Sequence, residues 1–241
     1  MFSGSYLPLR CEYAKKEVSM KKSRRAVLVV CILLVAMPFV VAQNSPLPIS
    51  TFKSCSCLAS KHDEILLVNY KHKIPLFYRP NLMELDNGEK IDKSIYPDLQ
   101  NMFNDARALG LNPKVNSGYR SKDAQEQIMQ DFTEDYMRQG MSKQKAEEAA
   151  ARWVALPGCS EHETGLAVDI GPSTGCTSQK ALYTWLETNC YKYGFILRYP
   201  ANKKDITRVE GEQWHFRYVG HEAAEQMHQT GQCLEEYLDE S

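Results

Sequence analysis

Apolar residues recur along the chain with two different spacings, which predict two kinds of element. Between Tyr96 and Gly110 they fall three and four positions apart, as on the buried face of an amphipathic helix. These residues are Leu99, Met102, Phe103, Ala106 and Leu109. Similar patterns with capping signals predict further helices at about 121–139, 142–154, 178–193 and 222–229.

Short β-prone segments lie between these helices. They are a stretch at 114–116, GLAVDI at 165–170, FILRY at 195–199 and WHFRYV at 214–219. Helices and strands mix without a regular β-α-β rhythm, which favours an α+β fold over a doubly wound parallel sheet. We expect one domain over residues 59–241, preceded by a Ser- and Pro-rich linker at 43–58.

The first 42 residues have a different pattern. A basic cluster at 21–25 precedes 17 consecutive uncharged, mostly apolar residues, Ala26 to Ala42, and a polar segment follows. This order is typical of a secretory signal peptide, and an uncleaved membrane anchor is the alternative. Either alternative places the domain outside the cytoplasm by the positive-inside rule. We expect the protein to contact the membrane only through this apolar segment.

Charge and cysteine content narrow the remaining possibilities. The body from residue 43 onward carries 22 Lys or Arg and 28 Asp or Glu, which argues against nucleic-acid binding. That body has six cysteines, an even number that suggests disulfides in an oxidising compartment, with the pairing open. Cys159 directly precedes a polar segment at 160–169 that contains candidate metal ligands. If Cys159 forms a disulfide, we expect reduction of that disulfide to perturb metal retention.

Candidate chemistry concentrates in three short polar segments, at 117–125, 160–169 and 212–215. A zinc hydrolase needs three protein ligands, an open position for water and a carboxylate that is not a ligand. His162 and Asp169 can converge on one ion if Gly165 breaks a turn before the strand GLAVDI. His215 begins another strand, and Glu212 precedes it by three positions, which suits a general base.

Other hydrolase signatures do not fit. His162 is not part of an H-E-x-x-H helix, and no G-x-S-x-G sequence is present. Cys159 as a nucleophile would leave Asp169, Glu212 and His215 without a task.

Four ordered motifs resemble the zinc D,D-carboxypeptidases of the VanY type, which are related to D-Ala-D-Ala dipeptidases, cell-wall L,D-carboxypeptidases and hedgehog domains. The motifs are SGYRS…Q at 117–125, S-E-H-x-T-G-x-A-x-D at 160–169, YGFILRYP at 193–200 and E-x-W-H-x-R-Y-V-G at 212–220. The resemblance implies a small antiparallel sheet that carries the zinc site, with helices packed around it.

The resemblance also implies roles for individual residues. One zinc ion per chain would be held by His162, Asp169 and His215, with Glu212 as the catalytic base. Arg120 would bind substrate and stabilise the oxyanion. Ser160, Gln125 and Trp214 would line the substrate cleft.

The expected function is removal of the terminal D-Ala from peptidoglycan stem peptides by a secreted or membrane-anchored bacterial enzyme. The metal and base motifs do not encode substrate length or chirality, so an L,D-carboxypeptidase or a cell-wall endopeptidase is the alternative. Gln213 stands where the family commonly has proline, and Glu163 where it commonly has glutamine. Neither departure removes a ligand or the base.

Overall fold

A computed structural model describes residues 65–240, within one compact unit that extends from Glu64 to Ser241. The signal or anchor at 1–42 and the linker at 43–58 lie outside the described residues, so both remain predictions. Among the helices of residues 65–240, none combines the length and the apolar character that a bilayer crossing requires.

A four-stranded antiparallel sheet is the centre of the domain. Its strands are β3 (Pro113–Ser117), β4 (Ala167–Pro172), β5 (Phe195–Tyr199) and β6 (Glu212–Tyr218), in the spatial order β3-β4-β6-β5. The hairpin of β1 (Leu82–Glu84) and β2 (Lys90–Asp92) forms a separate two-stranded sheet. This arrangement confirms the predicted α+β class with a small antiparallel sheet.

Helices flank the sheet. They are α1 (Tyr96–Ala108), α2 (Lys122–Arg138), α3 (Lys143–Ala150), α4 (Gln179–Asn189), α5 (Lys204–Thr207), α6 (His221–Thr230) and α7 (Leu234–Tyr237). Single turns of 3₁₀ helix occur at Lys93–Ile95, Glu161–Thr164, Cys190–Tyr193 and Ala201–Lys203. A side-chain cap marks the start of α2, where the Ser121 hydroxyl accepts from the Ala124 N–H at 3.2 Å.

The main core forms where α1 and α4 pack on the sheet. Leu99 and Met102 of α1 are fully buried, together with Leu182 and Leu186 of α4. A smaller cluster lies between α6 and α7 and includes Met227 and Leu234. The apolar positions that predicted α1 are therefore its buried face, except Leu109, which follows the helix and is exposed.

Three features differ from the sequence-based expectation. The β1–β2 hairpin was not predicted, because three-residue strands are too short to show an alternating pattern. The helix expected to continue to Val154 ends at Ala150. The helix expected to continue to Tyr193 becomes a 3₁₀ turn after Asn189, before Gly194 in the left-handed conformation (φ 76°).

The cysteines of the described region are free thiols. They are Cys159, Cys176, Cys190 and Cys233, and three of the four are buried. Burial raises the pKa of the Cys159 thiol, which makes it less reactive. The disulfides suggested by the even cysteine count are therefore not formed among these four residues.

Candidate zinc site

A turn centred on Gly165 brings the first two candidate ligands together. His162 lies in the 3₁₀ helix Glu161–Thr164, and Asp169 lies on β4. Gly165 between them has φ 74°, a left-handed conformation that favours glycine. The chain reverses there, so that His162 Nε2 lies 3.4 Å from Asp169 Oδ1.

The sheet register brings the third candidate ligand to the same place. Asp169 on β4 pairs with His215 on β6 and with Ser117 on β3, so these residues form a row across three strands. Cross-strand neighbours share one face of a sheet. His215 Nδ1 accordingly lies 3.2 Å from Asp169 Oδ1.

An irregularity in β6 places Glu212 beside His215. Residues three apart on a regular strand point to opposite faces. Here Leu197 of β5 pairs with Phe216, but Tyr199 pairs with Glu212, so β6 has two extra residues between these pairs. The resulting bulge lets both side chains face the same site, with Glu212 Oε2 3.7 Å from His215 Nδ1.

The trio fits a zinc ion. Its three ligand atoms lie within 4.8 Å of one another, and all three residues are buried. Tetrahedral zinc with bonds of ~2.0–2.1 Å separates its ligand atoms by about 3.3–3.4 Å. The 3.2 Å and 3.4 Å separations from Asp169 Oδ1 match this spacing. Within the described residues, His162 Nε2 and Asp169 Oδ1 have no hydrogen-bond partner, as expected for atoms reserved for a metal.

Neighbouring groups fix the orientation of the first imidazole. His162 Nδ1 donates to the Gly118 carbonyl at 2.7 Å, which directs Nε2 toward Asp169. Because Gly118 has no side chain, it can pack against the backbone of β2 at Lys90. A Cβ at this position would overlap the Lys90 carbonyl oxygen.

The electrostatics of the metal-free site differ between the two histidines. Burial, followed by the nearby Arg120 guanidinium, lowers the pKa of His162 to about 4. Burial would also lower the pKa of His215, but contacts with the Asp169 and Glu161 carboxylates outweigh it and raise that pKa to about 9. Burial opposes ionisation of Asp169 too, yet the two histidines hold its pKa well below the usual range. At neutral pH the metal-free trio is therefore a carboxylate, a neutral imidazole and an imidazolium.

Arg120 lies at the edge of the trio. Its Nη2 donates to Asp169 Oδ2 at 3.0 Å, and its Nε donates to the Ser117 hydroxyl at 2.9 Å. The guanidinium thus binds the carboxylate oxygen that faces away from the two histidines. Arg120 therefore lies within hydrogen-bond distance of one member of the trio, and its contact with substrate remains a prediction.

The three remaining predicted residues have different environments. Ser160 is buried and immediately precedes the 3₁₀ helix that carries His162. Gln125 of α2 is also buried, and its Nε2 donates to the Ala155 carbonyl at 2.8 Å. Trp214 is half-buried and packs against the main core. Their contacts with substrate therefore remain predictions.

Several residues near the trio were missed at the sequence level. Tyr199 lies against the His215 ring, with centroids 4.9 Å apart. Glu161 faces His215 from behind and is held by Arg198 and Arg217, all three fully buried. The available signal was one arginine in each of the β-prone segments FILRY and WHFRYV, because a buried arginine needs a buried acidic partner.

Comparison with known proteins agrees with this geometry. Residues 88–221 match the sequence family described as VanY, D-alanyl-D-alanine carboxypeptidase. The chain belongs to the VanY family. A D-alanyl-D-alanine carboxypeptidase of Enterococcus faecalis is 46% identical over 175 residues, which are 73% of this chain and 65% of that protein. The match therefore spans just under two thirds of the relative's length.

Solved structures of VanY proteins have the same fold. A vancomycin-resistance D,D-pentapeptidase VanY in complex with Zn(II) is 48% identical, with a TM-score of 0.69, over 71% of this chain and 97% of the other. VanYB in complex with D-alanine-D-alanine is 47% identical, with a TM-score of 0.70, over 72% and 96% of the two chains. These matches confirm the predicted family and fold, and the zinc-bound relative supports the predicted cofactor.

Proposed function

We propose that the protein is a zinc-dependent D,D-carboxypeptidase that removes the terminal D-Ala from peptidoglycan stem peptides. The observation that supports this proposal most strongly is the buried trio of His162, Asp169 and His215, with a second carboxylate, that of Glu212, beside it. Glu212 lies 3.7 Å from His215 Nδ1, close to the metal position but outside the trio. This is the position that a general base requires.

Each protein group has a distinct task in the reaction. Zinc, when bound, supplies Lewis-acid chemistry that activates water and polarises the carbonyl of the scissile peptide bond. Glu212 takes a proton from the attacking water and delivers it to the nitrogen of the departing D-Ala. Arg120, held by Ser117 and Asp169, donates to the carbonyl oxygen as negative charge develops there. Because that charge is largest in the transition state, this contact accelerates the reaction rather than only tightening substrate binding.

The family and the N-terminal sequence support the proposed substrate and location. VanYB was solved with D-alanine-D-alanine, which is the end of a pentapeptide stem, and this supports a D,D substrate. Such peptides belong to the cell wall, outside the cytoplasmic membrane. The apolar segment at 26–42 would deliver the domain there as a cleaved signal or a retained anchor. The acidic body gives no reason to expect a nucleic-acid partner.

A panel of defined peptides tests the proposal. The zinc-loaded protein would be incubated with a pentapeptide stem ending in D-Ala-D-Ala, the matching tetrapeptide, and a cross-linked stem dimer, and the products identified by mass spectrometry. We expect loss of one D-Ala from the pentapeptide only. Cleavage of the tetrapeptide alone would instead indicate an L,D-carboxypeptidase, and cleavage within the dimer an endopeptidase.

Two variants separate the proposed base from neighbouring acids. Glu212→Gln should lower kcat by ~10²–10⁴-fold, which is the usual contribution of general acid–base catalysis, and zinc should remain bound. Glu210→Gln, two positions earlier in the chain, is the matched control and should retain parental activity. A Glu212→Gln variant with parental kcat would remove Glu212 from the mechanism.

A further inference from the structure

Behind the zinc trio lies a buried ionic cluster, formed by Glu161, Arg198, Arg217 and Glu235. All four residues are at most 1% exposed. Burying four charged groups is costly, and even well-paired buried charges are often no more stabilising than apolar residues of similar volume, which favours a role of this cluster other than stability. The candidate to be positioned is His215, whose imidazole lies against the carboxylate of Glu161.

The contact with His215 comes from one oxygen of Glu161. Glu161 Oε2 lies 3.6 Å from His215 Nε2, the ring nitrogen opposite to the one that faces Asp169. Neither Oε2 nor Nε2 has a hydrogen-bond partner within the described residues. A carboxylate facing the outer nitrogen of a metal-bound imidazole is the usual way in which proteins fix its orientation.

The other oxygen of Glu161 anchors the side chain. Oε1 accepts from Arg198 Nε at 2.8 Å and is paired with Arg217 Nη1 at 3.0 Å. Arg217 also donates to the Leu66 carbonyl at 2.7 Å. With Oε1 held by two guanidinium groups, Oε2 has little freedom to turn away from His215.

Arg198 extends this anchoring to the C-terminal helix. Its two terminal nitrogens donate to both oxygens of Glu235 on α7, at 2.6 Å and 2.9 Å. Glu235 also accepts from Asn69 Nδ2 at 3.1 Å. A continuous series of ion pairs and hydrogen bonds therefore connects α7 and Asn69 to the imidazole of His215.

We propose that Glu161 is the positioning residue for His215: it holds the imidazole so that Nδ1 faces the metal, and Arg198 with Glu235 holds Glu161. Glu161 does not touch substrate or metal in this account. The inference rests on the zinc site of the proposed function. It predicts that the two zinc histidines use opposite nitrogens, His162 through Nε2 and His215 through Nδ1.

Zinc affinity of paired variants in the full-length chain provides the first test. Glu161→Gln should raise the zinc Kd by ~10–100-fold, measured by competition with a fluorescent chelator. Glu163→Gln is the matched control, since it lies in the same 3₁₀ turn but accepts from the Gly158 N–H at 2.7 Å instead of facing His215. Its zinc Kd should equal that of the parent. Parental zinc affinity in Glu161→Gln would overturn the inference.

A second measurement uses the unmodified protein, so it holds even if Glu161→Gln fails to fold. Long-range ¹H–¹⁵N NMR of the zinc-loaded protein reports which nitrogen of each histidine carries the proton. We expect a protonated Nε2 on His215 and a protonated Nδ1 on His162. Zinc bound through Nε2 of His215 would refute the inference and leave the proposed activity intact, whereas a parent that binds no zinc would refute both.

Discussion

Replacement of Gly165 by alanine tests how the turn between His162 and Asp169 is built. Gly165 has φ 74°, and an L-residue in this conformation costs ~1–2 kcal/mol. The added Cβ would also lie 2.9 Å from the backbone nitrogen of Asp92 and 3.1 Å from Leu82 Cδ2. The Asp92 nitrogen cannot move away freely, because it donates to the Gly165 carbonyl at 2.9 Å. Such overpacking adds ~1–3 kcal/mol, so Gly165→Ala should lower the free energy of unfolding by about 2–5 kcal/mol.

Gly88→Ala is the control that separates the two contributions. Gly88 has a similar φ of 85°, but a Cβ there meets nothing within 4 Å. It should therefore cost only the ~1–2 kcal/mol of backbone strain. Unfolding in urea, followed by circular dichroism on zinc-free protein, gives both values, and chelator competition gives zinc affinity. We expect weaker zinc binding only in Gly165→Ala. Equal stability and equal zinc affinity in the two variants would refute the role assigned to the turn.

Three further predictions concern the same site. Because the pKa of His215 is about 9 before zinc binds, its imidazole is protonated at pH 7, and zinc binding should release about one proton. Calorimetry in buffers of different ionisation enthalpy would measure this release, and release of no proton would contradict a protonated His215. Arg120→Lys removes the guanidinium that donates to both Ser117 and Asp169, so kcat should fall ~10²–10³-fold with little change in Tm. A large change in Tm with an unchanged kcat would instead show that Arg120 has a structural role. Because Cys159 is a free thiol, complete reduction should leave zinc content unchanged, and loss of zinc on reduction would contradict this.

Local sequence was sufficient to predict the turn that joins two of the candidate ligands. Only six residues separate His162 from Asp169, and Gly165 between them signals the chain reversal that the structure has. The helix starts were equally local, since Ser121 and Ser178 both cap through their hydroxyl groups. Features set by neighbouring residues along the chain are the ones that the sequence pattern describes well.

Features that depend on pairing between distant segments were not predictable in this way. Arg198 lies 37 residues from Glu161 and 37 residues from Glu235, and its contacts with both depend on how β5 and α7 pack in the finished fold. The bulge that turns Glu212 toward His215 is a property of the β5–β6 register rather than of either strand alone. Glu212 and His215 are three positions apart, and on a regular strand this spacing would have placed their side chains on opposite faces of the sheet.

Zinc titration of the stripped, full-length protein on the pentapeptide stem tests whether the His162, Asp169 and His215 trio binds the metal that hydrolysis requires. Metal would be removed with a chelator, zinc returned in fractional equivalents, and release of D-Ala measured at each step. We expect no release of D-Ala without zinc, a linear rise to one equivalent per chain, and neither zinc retention nor D-Ala release in His215→Ala. Release of D-Ala by the stripped protein, or full zinc-dependent activity in His215→Ala, would contradict a catalytic zinc held by this trio.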